Sequence, residues 1–409
     1  MRLLVAMTAA LAALSLTAAD TSRAGFPASK GRLLILSEDF AFAVPSLVRD
    51  NGDLVPVGLP LGIHGSAAVS PDGTRIAMVD TVPLFPGLTV PALLTGSLLG
   101  DAGEQLSVGT VTGRPSWSPD GTKIAYAGKR SGSWDIYVIA TTEGAVPVDL
   151  TASSAAADTE PRWSPNGTKI AFDSDRSGNV DVYTMNSDGS GVTNLTGNAA
   201  RDTLGDWSPD SKQLVFSSTR SGNGDLYVTG ANGTSTTRLT SDSGADTHPA
   251  WSPDGSTIAY SNDADGDNEV YEVAPNGAGA RKLTDNVHED LVQDWQPLRD
   301  TAPPRIHALK STGRRGRQPR FRFTISEESR IASVQVEYSY RTKNGGSSGF
   351  AVQTFEDLHA GHVYTLAFPG GPSRAPAAFR FCLTATDPSV NEGKRSCAWF
   401  RFLPKKKRR

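Results

Sequence analysis

The stretch "WSPNGTKIAFDSDRSGNVDVY" (Trp163–Tyr183) holds two turns and two apolar runs within 21 residues. Pro165 to Gly167 supplies a fixed φ, a side-chain acceptor and a positive φ, which together are turn chemistry. The apolar run Ile170–Phe172 follows. A polar turn around Gly178 then leads to a second apolar run at Val182. Short apolar runs separated by turn residues are typical of antiparallel strands.

The same wording recurs along the chain, and the proline of each turn marks the repeat. These prolines are Pro71, Pro119, Pro165, Pro209, Pro253 and Pro297. The steps between them are 48, 46, 44, 44 and 44 residues. A period near 44 with four short strands per unit is typical of a β-propeller blade. With 41 glycines and 26 prolines and few helix signals, the chain is predicted to be all-β.

The two ends of the repeat region complement each other. The last repeat has a first strand near Trp295 but nothing after it that resembles strands two to four. The segment from Leu33 to about Gly58 resembles strands two to four without a first strand. We therefore predict a six-bladed β-propeller closed by a split N/C-terminal blade, because closure removes exposed sheet edges.

The repeats resemble those of the TolB-like propeller family, whose units read "WSPDG…IAF.S.R.G..DIY". The resemblance covers about residues 31–297 and four consecutive units carry it. It implies a non-enzymatic, extracytoplasmic binding scaffold. Such blades also precede peptidase domains, but the remaining 110 or so residues are too few for an α/β-hydrolase.

The flanking segments predict an exported protein with a second domain. Residues 1–24 have a basic start and an apolar core, which indicates a signal peptide cleaved after Ala24 or Ala19; an uncleaved membrane anchor is the alternative. The predicted domains are the propeller at 31–299, a small β-sandwich at 300–404 and a basic tail at 405–409. The segment Phe381–Phe402 resembles the last hairpin of immunoglobulin-like or fibronectin-III-like modules. In an exported chain, Cys382 and Cys397 predict a disulfide.

An acidic position lies seven residues before each proline. Four repeats carry a carboxylate there and two carry Thr112 or His64; the four are Asp158, Asp202, Asp246 and Asp290. Convergent carboxylates at the mouth of a channel would favour a cation or a basic ligand. We predict a ligand site of these four residues with His64 and His248. One alternative is that each Asp accepts hydrogen bonds within its own loop. Another is a carbohydrate hydrolase or lyase using aspartates from different blades as acid and base.

The second turn of each repeat also carries charges. Arg130, Arg176 and Arg220 are each followed five residues later by an Asp, which predicts an Arg–Asp ion pair. In the fifth repeat Ala264 replaces the Arg, and four acidic residues crowd the turn: Asp263, Asp265, Asp267 and Glu269. This spacing suits a structural Ca²⁺, the only cofactor considered, although the loop is not an EF-hand. A solvated acidic hairpin is the alternative.

Charge is divided unevenly. Residues 301–409 hold 20 basic and 7 acidic residues, a net +13, whereas residues 1–300 hold 20 basic and 36 acidic, a net −16. The basic clusters predict a polyanion-binding surface. Its candidate residues are Arg314, Arg315, Arg317, Arg320, Lys405, Lys406 and Lys407. The expected partners of an exported, non-enzymatic protein are another protein, a cell-envelope polymer or an anionic membrane surface, but no nucleic acid. Solvated charges or docking on the acidic propeller are the alternatives.

Overall fold

The computed structural model describes most of the repeat region and separate strands beyond it. The described residues are 32–39, 42–48, 54–56, 65–85, 88–97, 104–129, 132–142, 144–286, 288–296, 305–313, 320–325, 329–342, 345–358, 363–367, 378–386 and 395–402. The predicted signal peptide lies outside them. No helix among these residues is long and apolar enough to cross a membrane.

Twenty-four strands form the repeat region. Strands β1 to β3 cover Arg32–Asp39, Phe42–Val48 and Leu54–Pro56. Strands β4 to β7 cover Ser66–Val69, Arg75–Phe85, Leu88–Ser97 and Glu104–Val108. Strands β8 to β11 cover Thr110–Trp117, Lys123–Lys129, Asp135–Ala140 and Val148–Asp149. Strands β12 to β15 cover Asp158–Trp163, Lys169–Ser174, Asp181–Asn186 and Thr193–Asn194.

The remaining repeats continue the pattern. Strands β16 to β19 cover Asp202–Trp207, Gln213–Ser218, Asp225–Gly230 and Thr237–Arg238. Strands β20 to β23 cover Asp246–Trp251, Ile258–Asn262, Glu269–Val273 and Arg281–Lys282. Strand β24 covers Asp290–Gln296. Beyond it, strands β25 to β32 cover Ile306–Leu309, Ser311–Gly313, Arg320–Ile325, Ser329–Thr342, Gly345–Leu358, Tyr364–Ala367, Ala378–Thr386 and Ser396–Phe402.

Among the described residues, the repeat region forms six four-stranded antiparallel sheets. Blades I to V are β4–β7, β8–β11, β12–β15, β16–β19 and β20–β23, and blade VI has the order β24-β1-β2-β3. The N-terminal strand pairs with the last first strand, Arg32 opposite Gln296 and Ser37 opposite Asp290, as the split blade requires. The first strands contact one another in sequence, and β24 contacts β4, so the ring closes.

The hydrophobic core lies between blades. Each buried cluster of the repeat region draws on two neighbouring sheets; for example, one joins Ala125 and Ile136 of blade II to Phe172 and Met185 of blade III. Each blade therefore buries its faces only against its neighbours, as repeat architectures do. The predicted all-β propeller fold is confirmed.

The turn between the first two strands is built from its own side chains. In blade II, the Ser118 hydroxyl donates to Asp120 Oδ1 at 2.6 Å, and the Thr122 N–H donates to the same oxygen at 3.0 Å. Gly121 has a φ of 69°, in the left-handed region that favours glycine. Asn166 and Asp254 accept equivalent N–H bonds in blades III and V. The repeated Ser-Pro-Asp/Asn-Gly wording thus encodes one turn.

The C-terminal strands form two sheets with a shared core. Their orders are β25-β27-β30 and β26-β32-β31-β28-β29. One buried cluster includes Phe321 and Phe323 of the smaller sheet and Phe381 and Phe400 of the larger. The centroids of the Phe321 and Phe381 rings are 4.5 Å apart. Two sheets with facing buried sides have the packing expected of a small sandwich, and the immunoglobulin-like resemblance remains a prediction.

Candidate functional site

A cavity of 460 Å³ lies where the C-terminal ends of the six first strands meet. Every blade contributes to its wall. The wall includes Val69, Trp117, Trp163, Trp207, Trp251 and Trp295, with Pro71, Pro119, Pro165, Pro209 and Pro253 at the rim. Pro165 is exposed and the other rim prolines are partly exposed, so the cavity reaches the surface of the molecule. We call this space the channel mouth.

Hydrogen bonds tie the first strands together in an alternating pattern. In every second blade the indole N–H of the tryptophan donates to a backbone carbonyl of the preceding blade at 3.1 Å. These pairs are Trp117 with Ala68, Trp207 with Arg162, and Trp295 with Ala250. The same blades offer a side-chain acceptor to a backbone N–H of the following blade: Ser116 to Trp163, Asp206 to Trp251, and Asp294 to Val69. Odd and even blades thus have different roles, although their sequences are similar.

Charged side chains occupy the inner strands beside the channel mouth. Arg114 Nε lies 3.3 Å from Glu160 Oε2, and Arg162 Nη2 lies 3.7 Å from the same oxygen. Burial raises the pKa of Glu160, but the two guanidinium groups outweigh it and leave that pKa below its usual value. Burial and the charge of Arg114 lower the pKa of Arg162 to about 10. This charge cluster is therefore ionised at neutral pH.

Glu160 and His248 reach this region because their strands bulge. Register shifts occur between Thr159 and Arg162 and between Thr247 and Ala250. At the bulges Glu160 has a φ of 50° and His248 a φ of 52°, both in the left-handed region that non-glycine residues seldom adopt. Burial and the nearby Arg114 lower the pKa of His248 to about 4, so the ring is neutral at pH 7.

Two carboxylates also line the channel mouth. Asp206 accepts backbone N–H bonds from Trp207 at 2.7 Å and Trp251 at 3.0 Å. Asp294 accepts them from Trp295 at 2.8 Å and Val69 at 2.9 Å. Burial raises the pKa of both, and that of Asp294 rises to about 6 with help from the charge of Asp206. The negative charge of Asp294 therefore grows as pH rises through 6.

Two nitrogens in the cavity wall make no hydrogen bond to the described residues, although one of them, Arg162 Nη2, lies 3.7 Å from Glu160 Oε2. Arg162 Nη2 and Trp163 Nε1 are both buried and make no hydrogen bond. The residues themselves are 8% and 9% exposed. The other nitrogens of Arg162 are satisfied, because Nε donates to the Gly205 carbonyl and Nη1 to the Arg114 and Pro161 carbonyls. Buried donors are normally satisfied, so this pair indicates a place for an acceptor from outside the fold.

The four predicted ligand aspartates lie at the other end of the first strands. All four are fully buried (0% exposed), and each bonds within the protein. Asp158 and Asp202 pair with Arg176 and Arg220 at 2.8 and 2.9 Å. Asp246 and Asp290 accept from the side-chain amides of Asn262 and Asn286 at 2.6 and 2.7 Å. In this geometry the four carboxylates bond within the protein and form no open ring, and a ligand site at these residues stays a prediction.

Of the two histidines predicted to join the ligand site, His248 lies within the described residues. Thr112, which occupies the aspartate position in blade II, starts the bulged part of β8 and is partly buried. His248 is close enough to the guanidinium of Arg114 for that charge to lower its pKa. His64 lies outside the described residues. The structure therefore brings His248 to the channel-mouth cluster and not to the four aspartates.

The predicted Arg–Asp pairs exist with different partners. Arg176 and Arg220 bond to the first strand of their own blade and not to Asp181 and Asp225. Asp225 instead pairs with Arg238 at 2.8 Å. Arg130 lies outside the described residues. The guanidinium of Arg176 also lies over the rings of Phe172 and Tyr183, at 5.3 and 5.0 Å, which holds it in place.

The predicted calcium loop does not gather its carboxylates. Glu269 is buried and accepts from Thr284 Oγ1 at 2.5 Å and the Asn286 N–H at 2.6 Å. Asp265 pairs with Lys282 at 2.5 Å, whereas Asp263 accepts the Ala245 N–H. Asp267 is partly buried and the structure shows no bond from it to the other three. Across the described ranges, no three His, Cys, Asp or Glu side chains are placed to hold a metal ion. In this arrangement Lys282 supplies the positive charge beside Asp265 and Glu269, and a structural Ca²⁺ stays a prediction.

The predicted polyanion surface is mostly outside the described residues. Arg314, Arg315, Arg317, Lys405, Lys406 and Lys407 lie there, whereas Arg320 begins β27 and is exposed. Cys382 and Cys397 form the predicted disulfide between β31 and β32.

Comparison with known proteins places the repeats in a family. The family model of the TolB beta propeller domain matches residues 63–204 and 201–301, more than half of the chain. The chain belongs to this family. A TolB structure from Acinetobacter baumannii is similar, with a TM-score of 0.58 and 22% identity over 67% of this chain and 68% of that one. A putative TolB from Agrobacterium tumefaciens has a TM-score of 0.51 and 22% identity over 66% and 94% of the two chains.

Structural likeness extends to a protein of different function. Hydrazine synthase from Kuenenia stuttgartiensis has a TM-score of 0.51 and 12% identity over 92% of this chain and 68% of that one. At these identities the likeness shows the fold alone, since one fold supports many functions. Comparison with curated protein sequences found no match.

Sequence reasoning did not single out the charged residues of the channel mouth. Three residues before the repeat proline, the chain has Ala68, Ser116, Arg162, Asp206, Ala250 and Asp294. The neighbouring positions of the repeat are nearly constant, whereas the charge at this position changes from repeat to repeat. That variation was the sequence feature that could have pointed to the site. The repeat alone could not show that the column faces the axis.

Proposed function

We propose that this protein is an exported, non-enzymatic binding protein whose channel mouth holds an extended segment of a protein partner. The observation that carries the proposal is a pair of buried donors that make no hydrogen bond among the described residues, Arg162 Nη2 and Trp163 Nε1, in a cavity that opens at the surface. A backbone carbonyl of a bound segment would satisfy them. Its N–H groups could reach Asp206 and Asp294, whose oxygens retain free lone pairs.

The wall favours a peptide over a small polar ligand. Tryptophan and proline side chains from five blades provide broad apolar contacts, and a few polar groups set the direction of the segment. The location outside the cytoplasm is proposed from the signal-like residues 1–24 and from membership of the TolB family. The charge asymmetry supports a second proposed contact, between the basic C-terminal region and an anionic polymer of the cell envelope.

The hydrolase or lyase alternative is disfavoured by burial. Its acid and base would be Asp158, Asp202, Asp246 or Asp290, and each is 0% exposed. A substrate oxygen must come within hydrogen-bond reach of a catalytic acid or base. Turnover of a glycan panel that is abolished by Asp202→Asn, with the fold intact, would restore the enzyme alternative.

Site-specific photo-crosslinking in the producing cells tests the binding proposal. A benzophenone amino acid replaces Pro165 at the rim or, as the control, Ser177 in the turn at the opposite end of blade III. We expect a discrete protein adduct from position 165 and none from position 177. Equal adducts at both positions, or none at 165, would contradict a binding site at the channel mouth.

A matched pair of tryptophan variants sharpens this test. Trp163→Phe removes the unpaired N–H, whereas Trp251→Phe removes an N–H that already donates to the Gly255 carbonyl. Both residues line the cavity. We expect Trp163→Phe to weaken the adduct about fivefold or more, because it removes one buried hydrogen bond to the ligand, and Trp251→Phe to retain it. Equal effects would show that the indole N–H has no role.

A further inference from the structure

The outer face of the larger C-terminal sheet carries an exposed aromatic residue. Along β31 and β32, Phe381, Leu383 and Phe400 point into the core and are fully buried. Their neighbours Arg380, Trp399 and Arg401 point outward and are exposed, Trp399 to 57%. A tryptophan exposed to this degree on a regular strand is unusual, because its large apolar surface is normally covered.

The strand register places basic side chains on two sides of this tryptophan. Arg380 lies directly opposite Trp399, and Arg401 is two residues along the same strand, opposite Ala378. Side chains in register across an antiparallel pair have Cβ atoms about 5 Å apart, and residues two apart on a strand share a face. We call Arg380, Trp399 and Arg401 the Trp399 face.

The arginines of this face have no acidic partner. In the described part of the chain, neither Arg380 nor Arg401 forms an ion pair. The nearby Glu337, in register with Cys382, is already paired with Arg395 at 2.6 Å. Residues 301–409 carry a net +13, so the surroundings reinforce the positive potential.

A disulfide bond links the two strands that carry the Trp399 face. The disulfide Cys382–Cys397 joins the two strands in the row next to Arg380 and Trp399. The strands therefore cannot separate, and the backbones of Arg380 and Trp399 stay in register. A pre-formed surface binds with less loss of conformational entropy than a mobile one.

We infer that the Trp399 face binds an acidic polysaccharide. The indole can stack on the apolar C–H face of a sugar ring, and the guanidinium groups on either side can pair with uronate carboxylates in bidentate fashion. An anionic membrane fits less well, because interfacial binding needs a continuous apolar face and this one has a single tryptophan between charges. The inference rests on the proposed contact of the C-terminal region with an anionic polymer, and not on the channel mouth.

Binding of the full chain to polygalacturonate, followed by calorimetry at low salt, tests the inference. We expect binding to polygalacturonate and none to neutral dextran. Trp399→Ala and the double variant Arg380→Gln/Arg401→Gln should each weaken it by about tenfold. The matched control Lys310→Gln/Arg322→Gln removes the same charge from exposed positions outside this face and should change affinity by less than about twofold.

Each remaining outcome overturns the inference. Equal losses in the two double variants would mean that only total charge matters. Undiminished binding by Trp399→Ala would exclude stacking, and equal binding of dextran would exclude charge recognition. Binding to vesicles of phosphatidylglycerol and phosphatidylcholine, without binding to polygalacturonate, would indicate a membrane contact instead. Trp163→Phe should leave polygalacturonate binding unchanged, so failure here is distinct from failure at the channel mouth.

Discussion

His248 combines a left-handed backbone with a half-buried ring beside a guanidinium group. Both features accompany the bulge in β20, which brings the side chain of His248 close to the charges of Arg114 and Glu160. Residues in this backbone region are often found at functional sites, where the surrounding structure holds them in place. Its position beside the channel-mouth cluster agrees with that tendency.

Replacing His248 by Asn should change how stability depends on pH. The pKa of His248 is about 4 in the folded state and 6.5 in the reference state. Between these values the unfolded chain takes up the proton first, so the wild type loses stability as pH falls from 6.5 toward 4. Asn does not titrate and tolerates a positive φ. Relative to wild type, the variant should therefore gain about 2 kcal/mol between pH 7 and pH 4.5.

Urea unfolding at a series of pH values measures this difference. A difference between His248→Asn and wild type that does not change with pH would contradict a depressed pKa of His248 in the fold.

At the scale of the single blade, blade V shows what the Arg–Asp pair contributes. Blades III and IV each bury an aspartate against an arginine that rests on two aromatic rings. Blade V retains the aromatic pair, with Tyr260 and Tyr271 centroids 5.7 Å apart, but has Ala264 in place of the arginine. Asp246 Oδ2 is buried without a hydrogen bond, and burial raises the pKa of Asp246 to about 6.

Restoring the missing bridge should stabilise blade V. The double variant Asn262→Ser/Ala264→Arg reproduces the residues of blades III and IV. We expect a gain of about 1 kcal/mol at pH 7.5, because a buried unpaired carboxylate acquires a charged donor. The raised pKa of Asp246 means that the wild type is relieved by protonation below pH 6. The gain should therefore shrink as pH falls from 6 toward 4.

The reverse change in blade IV provides the matched control. Arg220→Ala leaves Asp202 buried without its ion-pair partner and should cost about 2 kcal/mol at pH 7.5, since part of the guanidinium is exposed. Chemical unfolding of both variants measures the two effects. If Asn262→Ser/Ala264→Arg left stability unchanged at every pH while Arg220→Ala lowered it, the hydrogen bond from Asn262 would already replace the ion pair in full.

At the scale of the whole molecule, the closing blade determines the cooperativity of the ring. Strand β1 pairs with β24 across more than 250 residues of sequence, and blade VI shares buried clusters with both of its neighbours. Removing part of blade VI would expose the apolar faces of blades I and V.

Deleting residues 25–60 should sharply lower the melting temperature of the propeller. The deletion removes β1 to β3 and the buried residues Leu33, Leu34 and Ile35. We expect a fall of more than about 10 °C by differential scanning calorimetry, because several kcal/mol of packing are lost. Removing the tail 405–409 is the control and should not move the propeller transition. An unchanged transition after the first deletion would contradict closure by the N-terminal strands.

The sequence by itself determined the repeating unit and its closure. The turn of each repeat is specified by residues within five positions of one another, and the blade faces by the alternation of apolar residues. Such local rules can be recognised in one dimension. The incomplete repeats at the two ends predicted that β1 pairs with β24, and the spacing of Cys382 and Cys397 predicted their bond.

Only the tertiary structure decided which charged side chains interact with which partners. Arg162 bonds to carbonyls of Arg114 and Gly205, which are 48 and 43 residues away in neighbouring blades. Arg176 pairs with Asp158, 18 residues before it, and not with Asp181, five residues after it. In a closed ring, strand bulges and the pleat of adjacent blades decide which side chains form hydrogen bonds and ion pairs. Neither feature can be recognised from the spacing of residues in the sequence. The fold could therefore be derived from the sequence, whereas the binding cavity and its unpaired donors could not.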